Sequence, residues 1–113
     1  MSDLLLLTSR AKKLMRVLYT VYKEKVDRGV PSSVANYFDD DDNIRARYFP
    51  EWSSPDIADI CWDLHQKGLL IVQPGDDKAN DVTLSQDGIA YMESRPARWF
   101  DKATEIFDRI KPF

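Results

Sequence analysis

Residues 67–94 read KGLLIVQPGDDKANDVTLSQDGIAYMES, and the order of their parts sets the fold. Lys67-Gly68 has the character of a helix C-terminus, because glycine takes the left-handed conformation that ends a helix. A short apolar strand follows over about Leu69–Gln73, and a second lies at about Asp81–Leu84. Pro74 to Asn80 between them are rich in turn formers, which predicts an antiparallel hairpin. Ser85 then opens a further helix through about Ser94, its hydroxyl placed to cap the free amides of the first turn.

Upstream, Ser54-Pro55-Asp56 predicts the start of a helix running to Lys67, with a capping hydroxyl, proline at the first helical position and an acid at the positive dipole end. Its expected inward face is Ile57, Ile60, Cys61 and Leu64. The outward face would then carry Ala58, Asp59, Trp62 and Gln66, flanked by Asp63 and His65. Nearer the N-terminus, Thr8 or Ser9 caps an amphipathic helix to about Arg28, stopped by Gly29. Pro31-Ser32-Ser33 starts a short helix through Tyr37-Phe38. About fifteen residues then separate Phe38 from Ser54, and part of Asn43–Phe49 is expected to form an extra helical turn. After Arg95-Pro96, a last helix over Ala97–Ile110 would carry a wide apolar stripe of Trp99, Phe100, Ala103, Ile106, Phe107 and Ile110.

The 113 residues fit one domain, with a core near 8–94 and the C-terminal helix near 97–110. A hydrophobic content of 43 % with 31 % charged residues is that of a globular chain. The longest N-terminal apolar run, Leu4–Leu7, is too short to span a bilayer, so a cytoplasmic location is expected. The single cysteine, Cys61, excludes a disulfide within the chain.

The segments 56–70, DIADICWDLHQKGLL, and 82–92, VTLSQDGIAYM, resemble the bacterial winged helix-turn-helix proteins, most closely the small MarR-like and phage-type regulators. The first is similar to their recognition helix and its exit into the wing, the second to the "LTxxGxxY" entry into the helix after the wing. The resemblance implies a mainly α fold with a small β-hairpin, a winged helix-turn-helix plus a C-terminal amphipathic helix. It also implies double-stranded DNA as partner, transcription regulation as function and a homodimer built through the terminal helices.

Charge complicates that implication. Between Glu51 and Glu93 stand two basic residues, Lys67 and Lys78, against nine acidic ones, whereas residues 1–30 hold seven basic against three acidic. Phosphate contacts are therefore expected from Arg45, Arg47, Arg10, Lys12, Lys13 and Arg16, with Ser53, Ser54, Gln66, Lys67 and Lys78 as further polar contacts. The alternative is a protein-interaction module using Trp62 and the acidic face of its helix, with Trp99, Phe100, Ile106, Phe107 and Ile110 at a partner interface. A DNA-mimicking inhibitor is a third reading, suggested by the acid count alone.

No enzyme chemistry is expected. Cys61 and His65 stand at i and i+4 without a third orienting group, and no phosphate loop or nucleophile elbow is present. Asp39, Asp41 and Asn43 start like a calcium loop, but Ile44 stands where the turn needs glycine and Pro50 where a bidentate Glu is required. Neither a metal nor a cofactor is expected.

Overall fold

A computed structural model describes residues 6–75, 78–96 and 99. Its elements are α1 (Ser9–Asp27), α2 (Ser32–Ala35), α3 (Asp41–Tyr48), α4 (Ser54–Gln66), β1 (Leu70–Gly75), β2 (Lys78–Leu84) and α5 (Gln86–Glu93). The described residues are mostly helical with one two-stranded antiparallel sheet, as expected. The predicted helix over Ala97–Ile110 lies outside the described residues, apart from Trp99.

Each long helix begins on a side-chain cap. Thr8 accepts from the Ala11 amide, Ser53 from Asp56 and Ser85 from Gly88. The cap of α4 is thus Ser53 and not Ser54, whose hydroxyl is turned to Asp42 instead, at 2.6 Å. Gly29 and Gly68 follow α1 and α4 with φ of +96° and +81°, the left-handed values that let the chain leave each helix.

The hairpin is longer than its sequence suggests. Pairing runs from Leu70↔Leu84 out to Gly75↔Lys78, past the expected strand ends at Gln73 and Asp81. Between Ile71↔Thr83 and Gln73↔Asn80, β2 carries one residue more than β1, a bulge. Asp81 absorbs it at φ +49°, a conformation that Asp tolerates better than most residues.

The expected second helix ends early. α2 stops at Ala35 because the following residues join the other edge of β2. The Phe38 amide donates to Val82 O (2.8 Å), Val82 to Asp39 O (2.7 Å) and Leu84 to Asn36 O (2.8 Å), with Tyr37 and Thr83 bridged antiparallel. Asp39, at φ +65°, turns the chain out of this pairing and into α3.

α3 is two turns long rather than the single extra turn expected, and the aspartate run explains it. Asp40 caps it by accepting from the Asn43 amide at 2.9 Å, Asp41 and Asp42 occupy the positive end of its dipole, and Arg45 and Arg47 its negative end. Five residues then link α3 to α4. Phe49 in this link is fully buried and stacks on Trp52, centroids 4.3 Å apart.

One core joins these parts. Leu14, Met15 and Leu18 of α1 meet Ile44 of α3, Ile57 and Leu64 of α4, Leu70 and Leu84 of the hairpin, and Met92 of α5, each at most 1 % exposed. The aspartates also tie the hairpin tip down. Asp41, only 3 % exposed, accepts the Ala79 amide on Oδ2 at 3.1 Å, while Lys78 Nζ lies 2.9 Å from Asp40 and 2.8 Å from Asp42. Asp41→Ala leaves that buried amide without its acceptor and is expected to cost about 1–3 kcal/mol. Urea denaturation measures it, and an unchanged midpoint would contradict this role.

The same cluster gives a pH dependence. The bond from the Asn43 amide, then Lys78, lowers the pKa of Asp40, and Lys78, then Ser54, lowers that of Asp42. Depressed carboxyl pKa values contribute stability that is present above the ordinary 3.8 and lost as pH falls through the depressed values.

Candidate functional site

α4 is the element on which either reading of the sequence turns. Ile57, Cys61 and Leu64 point inward as expected. Two positions differ: Ala58 is buried and Ile60 only half-buried. The reason is that α4 packs on α3, on α1 and on both strands, so its buried face is broader than a single stripe and turned toward Ala58. Asp59 and Gln66 face solvent, and Asp63 is half exposed.

Trp62 is half-buried against the core instead of standing free on the outer face, with its ring edge-on to His65 at 5.3 Å. His65 in turn fixes α4 to the hairpin. Its Nδ1 lies 3.3 Å from the Val72 amide and 3.2 Å from Leu70 O, so either tautomer finds a partner on β1. Burial, with a smaller contribution from Asp41, pushes the Cys61 thiol up to about 12, which keeps it protonated and inert at neutral pH.

The polar candidates fall into two groups. On the α4 and hairpin side, both lysines are engaged by carboxylates: Lys67 by Asp63 at 2.8 Å, Lys78 by Asp40 and Asp42. Ser53 and Ser54 spend their hydroxyls on the α4 cap and on Asp42. Of this group Gln66 is exposed, and its side chain makes no hydrogen bond among the described residues.

On the α1 and α3 side, Arg45 and Arg47 are exposed at the end of α3. Arg45 Nε donates to Trp52 O at 2.8 Å, bracing the link to α4. Arg10 is paired with Asp56 at 3.2 Å and lies over the Trp52 ring at 5.2 Å. Lys12 and Arg16 are half-buried on α1, and so is Lys13.

Trp99 sits against this chain's own side chains. Its ring meets Tyr91 edge-on at 6.2 Å, with Lys12 at 5.6 Å and Arg95 at 5.7 Å from its centroid. Phe100, Ile106, Phe107 and Ile110 lie outside the described residues, as do Leu4 and Leu5 of the N-terminal run.

Sequence reasoning missed a cleft of about 220 Å³ between the end of α1, residues 37–39 and α3, which brings Lys25 and Arg47 together. Nothing in the sequence singles out Lys25, and the pairing of residues 36–39 with β2 brings Tyr37 and Phe38 beside it. Among the described residues no helix is long and apolar enough to cross a membrane. No protein-family model matches the sequence, and neither curated proteins nor solved structures give a significant match.

Proposed function

We propose that the chain is a winged-helix protein that binds double-stranded DNA, acting as a transcriptional regulator. The observation that carries this is the arrangement around α4. A two-turn helix, a five-residue link and α4 are followed directly by the hairpin, and residues 36–39 lie on the far edge of β2. In the winged-helix resemblance α4 is the recognition helix and the hairpin the wing. α3 supplies the first helix of the pair, which removes the overlong linker that the sequence seemed to carry.

The distribution of cations favours backbone contact by the α3 edge over base reading by α4. Lys67 and Lys78 are neutralised by their own carboxylates, whereas Arg47 is exposed and makes no ion pair among the described residues. Fluorescence anisotropy of a labelled mixed-sequence duplex tests this at low salt. Arg47→Ala should weaken binding on every sequence and flatten the plot of log affinity against log salt by roughly 0.9. Asp63→Asn releases Lys67 and removes a charge that repels phosphate, so it should strengthen non-specific binding. Affinity indifferent to both changes would reject this contact surface.

A protein-interaction module is the second reading, favoured by one observation: Asp59 is exposed on an α4 face whose one lysine, Lys67, is already paired. Under it the duplex stays unbound and Trp62→Ala abolishes capture of a basic protein partner.

A further inference from the structure

The cleft between α1 and α3 is lined by two cations, Lys25 and Arg47, and one carboxylate, Asp39. Lys25 and Arg47 both border it, and among the described residues neither makes an ion pair. Lys25 lies over the Phe38 ring at 5.7 Å and is half-buried. Burial, and then the charge of Arg47, lower its pKa, and no carboxylate offsets either effect. With Asp39 also on the lining, the cleft's described charges still leave one net positive charge. Two like charges held together beside low-dielectric walls repel, and an anion bound between them relieves that repulsion.

Tyr37 forms the cleft's other wall and is held rigidly. Its hydroxyl donates to Asp81 at 2.7 Å and its backbone is bridged to Thr83, yet 43 % of the residue remains exposed. That bond to Asp81 raises the phenol's pKa to about 12, so the ring is neutral at physiological pH. An exposed aromatic residue on a lining that also carries two cations suits a ligand that joins a flat ring to a phosphate. We propose that this cleft binds a mononucleotide, its phosphate between Lys25 and Arg47 and its base against the Tyr37 ring. The site shares Arg47 with the proposed duplex contact but rests on the cleft's own lining and not on the DNA-binding reading.

Isothermal titration with 5′-AMP, adenosine and inorganic phosphate tests it. 5′-AMP should bind saturably at roughly 0.1–1 mM and at least about tenfold more tightly than adenosine or inorganic phosphate. Lys25→Met keeps the aliphatic stem on Phe38, and Arg47→Gln alters an exposed side chain, so both should fold; circular dichroism checks this. Each should weaken 5′-AMP binding about tenfold. Tyr37→Leu should remove the preference for 5′-AMP over inorganic phosphate while leaving phosphate binding unchanged. No saturation by roughly 10 mM 5′-AMP, or equal affinity in wild type and both charge variants, overturns the proposal. A parallel duplex titration separates the two readings. Duplex binding without 5′-AMP binding rejects the mononucleotide site alone, and the reverse result rejects the DNA reading alone.

Discussion

Phe49→Ala is expected to destabilise the protein by about 3–5 kcal/mol, the cost of removing a fully buried aromatic ring and leaving its cavity. Phe49 is 0 % exposed, and its ring stacks on Trp52, which Arg10 covers from the other side. The three residues hold the link between α3 and α4, and the Phe49 amide donates to Arg45 O to end α3. The loss should therefore reach the angle between the two helices as well as global stability. Urea denaturation followed by tryptophan fluorescence measures the first effect. Phe49→Leu should recover more than half of the loss, since it refills most of the cavity. A midpoint for Phe49→Ala close to wild type would contradict the packing described for this link.

Gly88→Ala is expected to lower stability by about 3 kcal/mol, the upper range for overpacking, and the melting temperature by roughly 15 °C. Gly88 lies in the first turn of α5, against the backbone where β1 begins. A Cβ there would overlap the Leu69 carbonyl oxygen and approach the Leu69 carbonyl carbon to 3.0 Å. Backbone cannot move aside as a flexible side chain could, because that same oxygen accepts the Ser85 amide at 3.2 Å and Ser85 Oγ donates to Gly68 O at 2.6 Å. Thermal unfolding by circular dichroism gives the answer. A change of only a few degrees would show that α5 can step away from β1 at little cost.

These two sites also mark where the sequence was and was not readable. Gly88 stands in the first turn of the helix whose start at Ser85 was legible, and the close approach to Leu69 is the physical reason a glycine stands there. Ser85 and the glycine stops after α1 and α4 were equally legible, because capping and left-handed turns are local effects. Phe49 was not legible. Its partners follow from α3, of which the sequence suggested only one extra turn within Asn43–Phe49. Asp40 in the cap position with arginines in the last turn was the available signal.

Long-range pairing accounts for the other misses. Asn36 to Asp39 carry no alternation that marks a strand, and their hydrogen-bond partners on β2 lie more than forty residues away. Asp41 is buried for the same kind of reason, since the Ala79 amide it serves is 38 residues distant. The candidate site was half readable. The acidic balance of residues 51–94 was plain, and Lys67 pairs with Asp63 one turn earlier, but the engagement of Lys78 by Asp40 and Asp42 emerges only once α3 sits beside the hairpin tip. Lys25 facing Arg47 required the whole fold.

The proposed contact sets a DNA duplex against the α3 edge rather than the hairpin tip. Residue-resolved amide shift mapping tests it most directly: ¹⁵N-labelled protein is titrated with an unlabelled mixed-sequence duplex at low salt. Fast-exchange shifts are expected to concentrate at residues 45–49 and at the N-terminal turn of α4, with Lys78 and Ala79 unmoved and the whole response fading as salt rises. An absence of shifts at tens of micromolar duplex, or shifts centred on the hairpin tip, would contradict it.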